Sequence, residues 1–133
     1  GKGNLDESLS TLPGYTQFEF LSDELPNALA CADFVLSRAG SNALCEFQAL
    51  KKPMLLVPYP KGASRGDQIL NAASYEKRGL CHVLPQEKMT AETLYQAIEK
   101  MTAEKDTLIR NLESAPPADG TEKILKFIEE IQK

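Results

Sequence analysis

Between Ala32 and Leu50 an apolar run passes into an amphipathic one across a few small and polar residues, and few folds accommodate that junction. Ala32-Asp33-Phe34-Val35-Leu36 has the length and chemistry of a buried strand, whereas Ala43, Leu44, Phe47 and Leu50 recur at helical spacing on one face. The stretch between them, Ser37-Arg38-Ala39-Gly40-Ser41-Asn42, reads as a strand-to-helix turn. Gly40 marks the hinge, where a positive φ is expected, and Ser41 or Asn42 is the expected N-cap. Such a helix start leaves backbone amides facing outward at the positive end of the helix dipole, an arrangement that favours an anion, above all a phosphate. Glu46 lies about one turn further in, beside the apolar face, where a carboxylate would accept from a pair of hydroxyls such as a ribose offers. By itself the turn is weak evidence, because short glycine-containing turns open helices in many α/β proteins and Glu46 alone reads equally as a solvated helix charge.

The remainder alternates strand-like and helix-like segments. Leu5 to Pro13 is polar and short, one helical turn or a loop. Tyr15-Thr16-Gln17-Phe18-Glu19-Phe20-Leu21 alternates and is rich in aromatics, which predicts a strand. Ser22-Asp23-Glu24 then supplies helix-start chemistry, Pro26 is tolerable in a first turn, and Leu25, Ala28, Leu29 and Ala32 share a face, so a helix runs to about Cys31. After the central helix, Lys51-Lys52-Pro53 stops it and Met54-Leu55-Leu56-Val57 predicts a strand buried on both faces. Pro58-Tyr59-Pro60 ends that strand. The loop through Lys61 and Arg65 to Gly66 is long for its place and therefore a functional candidate. Asp67-Gln68-Ile69-Leu70-Asn71-Ala72-Ala73 begins the next helix, with Ile69, Ala72 and Ala73 inward, with Asp67, Gln68 and Asn71 polar near its start, and with Gly79 as its closing residue. Leu80 to Leu84 predicts a strand. Thr90 is the expected N-cap of a helix carrying Leu94, Ala97, Ile98 and Met101, with Met89 placed to staple against Leu94. A polar helical stretch ends near Ser114, Pro116-Pro117 breaks the chain, and Asp119-Gly120-Thr121-Glu122 reads as a capping box for a last helix. Its stripe of Ile124, Leu125, Ile128 and Ile131 requires burial on this domain or a neighbouring one.

Alternation of this kind predicts a parallel sheet covered by helices on both faces, with ligands beyond the carboxyl ends of the strands. Three candidate loops fall there: the turn after Phe20-Leu21, the Gly40-Ser41-Asn42 turn with Glu46, and the Tyr59 to Gln68 loop. Together they offer an edge for a base, amides for phosphate, and amide or carboxyl groups for hydroxyls, which describes a nucleotide-sugar site.

Composition narrows the classes. A chain of 133 residues, 42% hydrophobic and 26% charged, suits one compact domain. Its net charge of −4 and lack of a Lys/Arg block argue against nucleic acid. Cys31, Cys45 and Cys81 lack metal-ligand spacing and fall in or beside apolar segments, so they read as small buried residues of a reducing compartment. His82 sits inside a strand-like run and reads as structural, leaving neither a zinc cluster nor a Cys–His pair. No apolar run approaches the ~20 residues of a bilayer span, so the chain reads as soluble. Gly1-Lys2-Gly3-Asn4 resembles a loop leaving an absent strand, which predicts a fragment.

The combined stretches Ala32 to Glu46, Lys52-Pro53-Met54-Leu55-Leu56-Val57-Pro58 and Asp67-Gln68-Ile69-Leu70-Asn71-Ala72 closely resemble the carboxy-terminal domain of the bacterial N-acetylglucosaminyltransferases that make lipid II from lipid I in peptidoglycan synthesis. The resemblance covers about residues 1 to 101 and extends to the whole chain. Related members include the soluble subunit of the eukaryotic dolichol-linked GlcNAc transferase and diglucosyl-diacylglycerol synthases. The resemblance implies an α/β, Rossmann-like parallel sheet with helices on both faces, one half of a GT-B glycosyltransferase that inverts and needs neither metal nor cofactor. It further implies that residues 1–133 bind UDP-GlcNAc and that 118–133 form a terminal helix able to pack toward an absent amino-terminal acceptor domain. Carried over by position, Leu21 and Ser22 would lie against uracil, the amides around Gly40, Ser41, Asn42 and Ala43 would meet the diphosphate, and Glu46 would hold the ribose. Gln68 with Asp67 would bind GlcNAc hydroxyls, Asp67 standing where the family often has a second Gln. Arg38 belongs to the same substrate-binding set, and Arg65 is a further candidate for the leaving diphosphate. The catalytic base, the lipid-linked acceptor and the membrane contact would belong to the absent half, with the parent protein peripheral on the cytoplasmic face of the membrane. Two alternatives carry different partners: a stand-alone donor-binding subunit of a two-chain GlcNAc transferase, and a related UDP-sugar enzyme such as a diacylglycerol glucosyltransferase.

Overall fold

The computed structural model describes residues 3–62, 66–116 and 120–131, and the side chains of 120–123 are left out of account. By its contacts the chain divides into two units, Gly1–Cys31 and Ala32–Lys133.

The second unit carries the sheet. Strands β1 (Val35–Ser37), β2 (Met54–Leu56) and β3 (His82–Val83) lie side by side in that order. Both pairings are parallel, with Leu36 opposite Leu55 and Leu56 opposite Val83. Helix α2 (Ser41–Ala49) joins β1 to β2 and α3 (Asp67–Lys77) joins β2 to β3. Right-handed crossovers in a 1-2-3 order place both on one face. Helices α4 (Ala91–Ala103) and α5 (Lys105–Ser114) follow β3 and cover the other. On that second face Leu55, Val57 and Leu84 form one cluster with Met101 and Leu108, and Phe34, Leu94, Ala97 and Ile98 pack against it. Met54 and Leu56, whose side chains alternate to the first face, are likewise fully buried, as a strand covered on both sides requires.

The helix ends explain why the crossovers are short. Lys52 N–H donates to Phe47 O at 2.9 Å and Lys51 N–H to Gln48 O at 3.1 Å, a Schellman ending in which Lys51 takes φ 54°. Gly79, at φ 69°, ends α3 in the same way, and a side chain there would also strike Asn111 Nδ2 at 2.9 Å. Gln48 is buried on α2, its amide donating to Pro116 O at 2.8 Å, whereas Leu50, expected on the apolar face, is exposed. Thr90 caps α4 through a reciprocal bond with Thr93, as its position predicts. The long polar segment beyond Met101 breaks at Glu104, whose side chain approaches His82 Nε2 to 3.0 Å off the line of a hydrogen bond. Helix α6 (Gly120–Ile131) leaves Ile124, Leu125, Phe127, Ile128 and Ile131 exposed. The proposed capping box before it lies outside the described side chains.

Three expectations are corrected. Tyr15 to Leu21 forms no strand: Gln17 instead clamps the Asp6 backbone from its side chain, accepting from Asp6 N–H at 2.9 Å and donating to Asp6 O at 2.7 Å. Alternation marks two faces but supplies no ladder partner, and Phe18 and Phe20 are exposed in this first unit. Cys31 and Cys45 are exposed, and only Cys81 is buried among the three, because helix positions beside an apolar stripe need not lie within it. Ala73 is also exposed, while Ala72 is fully buried. The rest of the first unit is a short 3-10 turn, Glu7–Leu9, capped by Asp6, and helix α1 (Leu25–Cys31). Among the described residues no helix is long and apolar enough to cross a membrane.

Candidate functional site

Parallel strands point their carboxyl ends at one rim, and here that rim collects Arg38 to Ser41 after β1, Val57 to Tyr59 after β2, and Leu84 to Gln86 after β3. The starts of α2 and α3 open onto it by the same topology. Helix α2 begins with an N-cap that differs from the expected one. Gly40 itself occupies the position, with φ −70° and ψ 137°, and no side chain caps the helix. That conformation suits any residue, so the positive φ expected of Gly40 is absent, and a Cβ at this position would meet nothing within 4 Å. What glycine lacks at this N-cap is a side-chain oxygen. Ser, Thr, Asp or Asn at an N-cap would occupy one of the orphan amides that a bound anion needs. No acidic residue stands in the first turn of α2. Ser41 and Asn42 are exposed, Ala43 is half-buried, and Glu46 is exposed on the same helix.

Helix α3 reaches the same rim with other chemistry. Its N-cap, Gly66, is left-handed at φ 84°, and Asp67 places a carboxylate in the first turn. Gln68 Oε1 accepts from Tyr59 N–H at 3.2 Å, and Asn71 Nδ2 donates to Ala39 O at 3.1 Å. The second bond ties α3 to the turn that launches α2, so the two helix starts are held together by a side chain rather than by the sheet alone. Asn71 therefore acts as a link between two elements, where its sequence position shows only a polar residue near a helix start.

Arg38 is the residue the geometry changes most. Its Nη1 donates to Val57 O at 2.9 Å and to Gln86 Oε1 at 2.6 Å, and its guanidinium lies 4.1 Å from the centroid of the Tyr59 ring. One side chain thus joins the segments leaving all three strands. Tyr59 opens one of the candidate loops without being singled out as a residue, and Gln86 lies in none of them. The sequence hints at such a strut only by an arginine just past one strand and a tyrosine between two prolines just past another.

Leu21, half-buried, and Ser22, exposed, belong to the first unit. Arg65 lies outside the described residues. The first unit has a cavity of about 350 Å3 whose lining includes Asp6 and Glu7, two carboxylates that disfavour a diphosphate. Burial, with Glu76 adding repulsion, pushes the Cys81 thiol up to about 12, so it is protonated at neutral pH and is no nucleophile.

The family described as glycosyltransferase family 28 C-terminal domain matches residues 1–131. A protein of Geobacillus kaustophilus named UDP-N-acetylglucosamine--N-acetylmuramyl-(pentapeptide) pyrophosphoryl-undecaprenol N-acetylglucosamine transferase is 49% identical over 130 residues, covering 98% of this chain and 36% of its own length. Proteins of the same name from Clostridium novyi and Geobacillus thermodenitrificans are 47% and 50% identical, covering 100% and 97% of this chain. The chain therefore spans 36 to 37% of the length of these curated relatives.

Proposed function

The chain belongs to the glycosyltransferase family 28 C-terminal domains, and on that premise we propose that it is the UDP-GlcNAc-binding half of an inverting transferase. The acceptor of the parent enzyme is a lipid-linked muramoyl-pentapeptide, and its product extends peptidoglycan synthesis. The observation that carries this reading is the start of α2, a helix N-terminus at the carboxyl rim of a parallel sheet with no side-chain cap and no acid in its first turn. A diphosphate seated on the amides of Gly40 to Ala43 completes that helix end. Glu46, one to two turns along, takes the ribose hydroxyls, and Gln68 with Asp67 takes the sugar. Leu21 and Ser22, in the first unit, are the candidates for the base by resemblance to the family.

In the transfer, the acceptor hydroxyl oxygen attacks C1 of GlcNAc and its proton passes to a general base, while UDP departs with the glycosidic electron pair. This chain serves the second half of that step. Amides aimed at the diphosphate stabilise the charge that grows on it, and they do so without reorganising. The base and the lipid-acceptor groove belong to the amino-terminal part of the parent protein, as does its contact with the inner face of the membrane. The apolar face of α6 faces that same part. Nucleic acid has no role.

Thermal-shift titration of the chain with UDP-GlcNAc, UDP-Glc, UDP-GalNAc and GDP-sugars tests the donor assignment. The largest shift is expected with UDP-GlcNAc, and an equal response to all four would remove the assignment. The isolated chain is expected to transfer nothing, so measurable formation of the disaccharide product would overturn the division of labour.

A further inference from the structure

Tyr59 follows β2 between two prolines, Pro58 and Pro60, neither of which has an N–H. Its own N–H donates to Gln68 Oε1. Because a backbone N–H can only donate, this bond settles which way round the Gln68 amide stands: the oxygen is taken and the NH2 group is left to act as a donor. The Tyr59 backbone is in turn held from below. From one nitrogen, Nη1, Arg38 donates to the carbonyl of Val57, two residues earlier, and to Gln86 Oε1, while its guanidinium stacks on the Tyr59 ring. A planar guanidinium can lie flat on a ring while one of its nitrogens serves two acceptors, and the non-planar ammonium of a lysine lacks that stacking geometry.

We propose that Arg38 is a positioning residue for donor-sugar recognition, holding Tyr59 so that Gln68 presents its NH2 to an acceptor oxygen of the sugar, a hydroxyl or an amide carbonyl. This rests on the donor-binding reading above. Arg38 acts through Tyr59 rather than by touching the sugar, and the selectivity it supports is for a group with a lone pair at that point.

Two measurements on the intact chain test it, the first without ligand. In NMR spectra of the free protein, R38K and R38A are expected to shift both the Tyr59 amide and the Gln68 side-chain NH2 resonances and to speed Tyr59 amide exchange by about tenfold, the loss of one modest hydrogen bond. Q68E, whose carboxylate still accepts, keeps the Tyr59 amide protected. Unchanged Tyr59 and Gln68 signals in both Arg38 variants would overturn the proposal. Calorimetric titration with UDP-GlcNAc and with UDP then gives an affinity ratio. R38K and Q68E are each expected to lower that ratio about tenfold, and R38K/Q68A no further than Q68A, the signature of residues acting through one contact. A ratio that R38K leaves intact, even with both affinities reduced, would mark Arg38 as a merely structural strut. If the unmodified chain shows no preference for UDP-GlcNAc over UDP, the donor-binding reading fails, while the ligand-free spectra still decide whether Arg38 holds Gln68.

Discussion

Helices α2 and α3 open onto the same rim, each from a glycine N-cap with no side-chain cap, yet their first turns differ in charge and conformation. Gly40 is extended and followed by Ser41, Asn42 and Ala43, so the α2 terminus keeps its full positive end. Gly66 is left-handed and followed by Asp67, so the α3 terminus carries its own counter-charge. One end suits a diphosphate and the other suits neutral hydroxyls. A third helix, α4, starts differently: Thr90 and Thr93 bond reciprocally, each side chain accepting from the other's backbone N–H. The contrast indicates that a bare N-cap near a sheet rim is informative only when charge is counted in the turn that follows.

The comparison breaks most sharply if α2 is given what α3 already has. In G40D the new carboxylate occupies the N-cap without steric conflict, since a Cβ there meets nothing within 4 Å. Affinity for UDP-GlcNAc and UDP is expected to fall about 100-fold by calorimetry while the denaturation midpoint holds or rises, because Asp is among the best N-caps. A midpoint that falls together with affinity would instead mean the turn cannot accept a side chain. E46Q sharpens the same site. It should weaken UDP-GlcNAc about tenfold through loss of charge-assisted hydroxyl bonds, and leave inorganic pyrophosphate unaffected. Equal loss for both ligands would place Glu46 on the phosphates.

Backbone conformation separates the two glycines next. G66A is expected to cost about 1 kcal/mol or more in urea denaturation, because alanine is strained at a positive φ. G40A should cost no more than about 0.5 kcal/mol, since the extended conformation suits alanine and only its weaker N-cap preference is felt. Similar losses at both positions would erase the conformational difference. A similarly small effect is expected of D67N. Removing the first-turn acid of α3 should lower stability by about 0.5 kcal/mol through the helix dipole, an effect that shrinks as salt is added. A salt-independent loss would show that Asp67 acts by packing or hydrogen bonding.

Much of this molecule could be read from pattern. The spacing of Leu94, Ala97, Ile98 and Met101, the uninterrupted apolar run of β2, and Thr90 ahead of α4 are local signals whose partners lie within a turn or within one strand's own two faces. The places that misled are those in which a local pattern was consistent with two outcomes. Tyr15 to Leu21 alternates as a strand does, but a strand also needs a neighbour, and Gln17 fills that part with its side chain. Gly40 was expected at positive φ because glycine permits it. Gly40 is extended instead, and what sets it apart there is the absence of a side-chain oxygen. Gln48 is buried in place of Leu50 because its amide reaches Pro116, far along the chain.

Residue order by itself determined the alternation of strands and helices in the second unit, the buried central strand, and the small-residue strand-to-helix turn, because these depend on periods of two and 3.6 and on chemistry within one turn. Tertiary structure alone decided that Arg38 braces three strand ends, that Tyr59 turns the Gln68 amide, and that Asn71 ties α3 to the start of α2. Those bonds join residues far apart in the chain, and only the closing of the sheet brings a donor within reach of its acceptor.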